Sequence, residues 1–144
     1  MEQLRAFRGH DRLDPAGYEY RWGLSRHLTD EQIEGLATYY AQQQPSPNVL
    51  AAPGSIADGR SVFESGVPDK NIPACATCHG ALGKGNEQFP RLAGQHADYL
   101  VKQLLVFQRT DERPEGAIMK VIAHDLTQAN IAAVTSYLQG LPDN

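Results

Sequence analysis

Hydrophobic residues recur along this chain at intervals of three and four, and no strand-length run alternates apolar with polar. That period belongs to helices, so the expected fold class is all-α. Ile131, Val134, Leu138 and Leu141 are spaced three, four and three apart, which predicts a helix over about 127–140. Thr127 opens it and Gly140-Leu141-Pro142 closes it. Leu100, Leu104 and Phe107 predict a second helix over about 97–109. Ser55 with Asp58 resembles a capping box and Gly66 is a stop, which predicts a third over 56–65. Nearer the start, Ile33, Leu36, Ala37 and Tyr40 form the same stripe behind a Thr29/Gln32 capping box.

These elements fall into three blocks. Residues 1–44 are polar with helical stretches, and 45–54 hold three prolines and a glycine, a linker composition. Residues 55–144 form a second block that contains both cysteines. The blocks share a pattern. Leu28-Thr29-Asp30-Glu31-Gln32-Ile33 matches Leu126-Thr127-Gln128-Ala129-Asn130-Ile131 at a separation of 98 residues, which also pairs Tyr39 with Tyr137. Upstream, Gln3-Leu4-Arg5-Ala6-Phe7 parallels Gln103-Leu104-Leu105-Val106-Phe107 at a separation of 100. The first block therefore reads as the back half of the module that the second block carries whole.

Composition narrows the class. The chain has 144 residues, 41% hydrophobic and 21% charged, with a net charge of −4. One ordinary domain plus an appendage fits that length. The acidic balance argues against nucleic acid as a partner. No apolar run reaches the roughly 18 residues of a membrane span. Met1–Arg8 is charged and lacks an apolar h-region, so an export signal is expected to be supplied upstream or already removed.

The chemistry concentrates in Cys75-Ala76-Thr77-Cys78-His79. C-x-x-C-H is the attachment signature of c-type haem: two thiols bond to one edge of the macrocycle, and the next histidine reaches its iron. A redox disulfide of this spacing belongs near a βαβ pattern, which is lacking. A zinc site would need a second pair of ligands at finger spacing. Met119 lies 40 residues after His79, in a stretch expected to be a loop ahead of the last helix, and is the candidate sixth ligand. Its other reading is a filler of core gaps. His96 and His124 compete less well, and His10 and His27 less still. Pro90 offers a carbonyl to the His79 ring. Arg91 is either a partner for a haem propionate or a solvated surface arginine. Gly80, Gly83 and Gly85 provide a turn after the motif. Gly59, Phe63 and Tyr137 are expected to meet where the first and last helices of the second block cross.

Cys75-Ala76-Thr77-Cys78-His79-Gly80, Phe89-Pro90-Arg91-Leu92-Ala93-Gly94-Gln95-His96, Tyr99-Leu100-x-x-Gln103-Leu104, Met119, and Leu126-Thr127 with Tyr137-Leu138 follow in that order. Together they resemble a class I cytochrome c, most of all the dihaem cytochrome c4 group and its single-domain c553-type relatives. The resemblance covers about residues 55–141. It implies a helical fold around one covalently attached haem c per chain, with His79 and Met119 as axial ligands. It also implies electron transfer in the periplasm, and it explains the repeat, because the c4 group has two tandem haem domains. The chain departs from that pattern in its first copy, which lacks attachment cysteines and has Arg21 where the second copy has Met119. Residues 1–44 are accordingly expected to be a partial, haem-less copy.

The expected function is one-electron transfer, as a carrier or as a domain of a larger respiratory assembly, rather than catalysis. The expected partners are redox proteins, a donor and an acceptor, among them a membrane-bound oxidase or dehydrogenase. Lys70, Lys84, Arg91 and Lys120 are either a steering patch for an acidic partner or ordinary solvated cations. Two other readings compete: a haem-based ligand sensor, and a docking role for residues 1–44, whose Tyr18, Tyr20, Trp22, Tyr39 and Tyr40 supply an intra- or intermolecular packing surface.

Overall fold

A computed structural model describes residues 1–12, 18–43, 53–86, 89–109 and 116–142. It is helical, and among the described residues the only β pairing is an isolated bridge between Val67 and Ile72. Two compact units are separated, Met1–Gln44 with Thr110–Ala117 and Pro45–Arg109 with Ile118–Asn144.

The first unit holds α1 (Glu2–Arg8), α2 (Tyr18–Ser25) and α3 (Asp30–Ala41). The capping box that opens α3 is complete: the Gln32 N–H donates to Thr29 Oγ1 at 3.2 Å, and the Thr29 N–H donates to Gln32 Oε1 at 2.9 Å. Arg8 ties α1 to this helix start, donating to the Leu28 carbonyl and to Asp30 Oδ1, both at 2.8 Å. That guanidinium holds the Asp30 carboxyl below the ordinary carboxylate range. Phe7 and Ile33 are buried, with the guanidinium of Arg12 4.9 Å and that of Arg21 5.1 Å from the Phe7 ring centroid. The expected stripe on α3 is buried only at Ile33; Tyr40 is 68% exposed.

The second unit holds α4 (Pro53–Ser65), a 3₁₀ turn (Pro68–Lys70), α5 (Ala76–His79), α6 (Ala97–Arg109), α7 (Ala117–Ala123) and α8 (Gln128–Gly140). Helix α4 begins at Pro53, so Ser55 lies inside it and does not cap it. A proline suits a first turn, where its missing N–H has no partner to lose and its φ is preset. Pro53 and Gly54 thus open α4 instead of ending the linker; residues 45–52 lie outside the described set. Gly66 ends α4 with φ +74 and an N–H bond to the Val62 carbonyl at 3.0 Å.

Helices α4 and α8 cross where Gly59 stands. A Cβ there would collide with the Ala133 carbonyl and lie 2.7 Å from Tyr137 Cβ, so only glycine permits the approach. One turn on, Phe63 is fully buried, its ring 5.7 Å from that of Tyr137. The expected meeting of Gly59, Phe63 and Tyr137 is found. Helix α8 is capped by Thr127, as its sequence predicts, and Asn130 completes the box from the third position. Helix α6 matches its predicted bounds. It joins α8 through the Ala97 N–H, which donates to Gln139 Oε1 at 2.7 Å.

Met119 corrects an expectation. It stands on helix α7, not on a loop. Ala117-Ile118-Met119-Lys120-Val121-Ile122-Ala123 has no breaker after Gly116, and a seven-residue helix is too short to display a period.

Candidate functional site

The single turn of α5 sets out the chemistry. Cys75 precedes it, and its carbonyl accepts the N–H groups of Cys78 at 3.3 Å and His79 at 3.0 Å. A helix this short leaves its last carbonyls without helical partners. The following loop supplies them: the Gly85 N–H donates to the His79 carbonyl at 2.8 Å, and Asn86 Nδ2 donates to the Cys78 carbonyl at 3.2 Å. Gly85 has φ +74, and a Cβ there would come within 2.5 Å of the Phe89 carbonyl and 2.6 Å of the Arg91 nitrogen. Only a glycine lets this loop close on itself, which brings Pro90 against the histidine.

His79 Nδ1 lies 2.8 Å from the Pro90 carbonyl oxygen. A carbonyl only accepts, so Nδ1 carries the proton and Nε2 is the ring nitrogen left for a metal. The Phe89 ring stands edge-on to the imidazole at 5.9 Å and limits its rotation. The ring is 5% exposed. Burial pushes the Cys75 thiol pKa up, and its Sγ lies 3.9 Å from the Val62 carbonyl. A thiol whose pKa is raised presents less thiolate for disulfide exchange.

Cys75, Cys78 and His79 line one cavity together with Met119. Its empty space, counted to the open mouth, is about 890 Å³. Most of the wall is hydrocarbon: Ile72, Leu92, Leu100, Leu104, Phe107, Ile122, Leu126, Val134 and Leu138 contribute to it. Among the described residues, no three His, Cys, Asp or Glu side chains converge to hold a metal ion. The two thiols and the imidazole share the wall of this cavity.

The Pro90 carbonyl is the one that faces His79 Nδ1. Arg91 is exposed, lies outside the cavity wall, and donates from Nε to the Ala93 carbonyl at 2.9 Å. His96 and His124 are exposed and also outside the wall, His124 facing Asp125 at 3.0 Å. Lys70 donates to the Asp125 carbonyl at 2.8 Å, so its ammonium is engaged within the unit. Gln103 and Thr135 are buried wall residues to which the sequence assigned no role. Thr135 returns its hydroxyl to the Ile131 carbonyl at 2.8 Å and so presents its methyl side as apolar wall.

A model of the cytochrome c family matches residues 56–142. Cytochrome c-552 of Acidithiobacillus ferridurans is 36% identical over 140 residues, 96% of this chain and 60% of the relative. A thiosulfate dehydrogenase electron acceptor of Thiomonas intermedia is 34% identical over 125 residues, 83% of this chain and 57% of the relative. The solved structure of Acidithiobacillus ferrooxidans cytochrome c4 superposes with a TM-score of 0.85 at 36% identity, covering 97% of this chain and 81% of that one. The chain spans about 60% of the length of the curated relatives it matches.

Proposed function

This chain belongs to the cytochrome c family, and on that footing we propose that it moves single electrons through one covalently attached haem c. The observation that carries the reading is the apolar cavity lined by Cys75, Cys78 and His79 of the C-x-x-C-H motif and by Met119 on α7. The thiols of Cys75 and Cys78 are the attachment points, and His79 Nε2 and Met119 Sδ are the axial donors. When bound, the haem supplies a ferric–ferrous couple. The protein's part is to hold both donors through the change of charge. His79 is fixed by Pro90 and Phe89, Met119 is carried on a helix, and the hydrocarbon wall excludes water. Arg91, which follows Pro90 in the same loop, is the residue we assign to a haem propionate.

Residues 1–44 fit a partial, haem-less copy of the module. Thr29 and Thr127 cap their helices with the same backbone, φ −74 in both. Arg21, at the Met119 position, lies over Phe7, at the Phe107 position. A cation–π contact thus stands where the second unit has a thioether and a cavity wall. The exposed Tyr20, Tyr39 and Tyr40 favour a docking role for this unit.

The partners we infer are other redox proteins, donor and acceptor. The thiosulfate dehydrogenase acceptor among the relatives makes a dehydrogenase or a membrane-bound oxidase the kind to test. The compartment we infer is the periplasm. The test is expression with an export signal in a host that matures c-type haem. One haem per chain, with a weak long-wavelength sulfur-to-iron band that Met119→Ala abolishes, is the expected result. No covalent haem would overturn the reading. A band unchanged in the variant would remove Met119 and bring a ligand-sensing role forward.

A further inference from the structure

The turn that follows α7 is gripped from two sides. From α6, Gln108 Nε2 donates to the Ala123 carbonyl at 2.7 Å and the Leu126 carbonyl at 2.8 Å, with the His124 carbonyl at 3.4 Å. From the 3₁₀ turn, Lys70 Nζ donates to the Asp125 carbonyl at 2.8 Å. Carbonyls at a helix end have no helical donors, so side chains that supply them decide where the end sits. Here the donors come from 15 to 18 and from 55 residues away in the sequence. They tie one turn to two separate parts of the unit.

Helix α7 needs such anchors. It has seven residues, too few to stand alone in water. Val121 is 76% and Ile118 55% exposed, and its buried residue is Ala123, next to the grip. Met119 stands one turn before Ala123. Its long unbranched side chain adapts readily, so the backbone beneath it must supply the definition.

We propose that Gln108 and Lys70 are positioning residues for Met119: by clamping the Ala123–Leu126 turn they hold α7 so that the thioether stays aimed into the cavity. This rests on the reading of Met119 as an axial donor. The clamp acts on how firmly the sixth position is closed, not on whether haem is attached.

The test compares the ferric holoprotein with Gln108→Met and Lys70→Met, which keep the side-chain stems but remove the donors. The readouts are the sulfur-to-iron band and the apparent affinity for imidazole, which competes for the same position. Phe63→Leu serves as a control that loosens the α4–α8 crossing away from the clamp, and Met119→Ala defines the open site. The expected result is a roughly three- to tenfold rise in imidazole affinity for Gln108→Met, the effect of losing one or two net hydrogen bonds. Lys70→Met should move the same way, with an unchanged haem-to-protein ratio. Phe63→Leu should lower the melting temperature and leave the imidazole affinity alone. Wild-type affinity in both clamp variants would overturn the proposal, as would an equal rise in Phe63→Leu. Should Gln108→Met not fold, Lys70→Met decides between the same two results. A wild-type protein whose band survives Met119→Ala would instead overturn the ligand reading, and the clamp proposal with it.

Discussion

At the scale of single residues, a few atoms with no freedom to move decide the site. Gly59 is the sharpest case. Gly59→Ala should destabilise the second unit by about 1–3 kcal/mol, the usual cost of overpacking, because α4 must lift from α8. Urea unfolding followed by absorbance would measure it, with the folded fraction keeping its haem spectrum. Gly59 was legible because a glycine inside a helix asks for a reason and Phe63 and Tyr137 suggested one. Cys75, Cys78 and His79 were legible because their chemistry is written in five consecutive residues. Gln108 was not. A lone glutamine late in an amphipathic helix carries no period and no motif, and its role exists only once the Ala123–Leu126 carbonyls are brought to it. Arg91 was nominated by its sequence neighbours, and in the fold its Nε donates to the Ala93 carbonyl.

At the scale of elements, helix ends carry the measurable consequences. Thr127→Ala removes the hydroxyl that receives the Asn130 N–H and should cost about 1 kcal/mol, read as a lower urea midpoint with an unchanged visible spectrum. At the start of α3, Asp30 is paired with Arg8, and its pKa is lowered by that partner. A lowered folded-state pKa gives a stabilisation that is complete above the ordinary carboxylate value. It is lost as pH falls through the lowered one. Helicity of the first unit should therefore decline below about pH 4, more steeply than in Asp30→Asn, in a circular-dichroism titration. The pair is exposed, so added salt should flatten the difference. Both threonine caps were readable, because capping is a local code. The start of α4 was misread because Pro53 opens it ahead of a serine that looked like a better cap. Helix α7 was read as a loop because seven residues held by Gln108 and Lys70 need no amphipathic signature of their own.

At the scale of the whole molecule, two units of unequal kind share one chain. Only the second has attachment cysteines, so intact-mass measurement should find one covalent haem per chain, a ratio that Arg21→Met leaves at one. The repeat was visible in sequence as two matched segments, Leu28–Ile33 with Leu126–Ile131 and Gln3–Phe7 with Gln103–Phe107. What it could not show is that Tyr39 and Tyr40 remain exposed, since that depends on what packs against α3. The all-α class followed from the three-and-four spacing alone. The cavity did not, because Val134 and Leu138 belong to the same stripe whether they face a packed core or an opening.

That wall has a thermodynamic meaning beyond shelter. A hydrocarbon lining offers few dipoles to stabilise an added positive charge. Of two states that differ by one charge, it favours the less positive, so the medium itself pulls the midpoint upward. It also leaves little that must reorient when the charge changes, so the speed of exchange is governed by how closely a partner approaches the cavity mouth. Leu104→Asn, which places an amide in that wall, should lower the midpoint potential without altering the ligands.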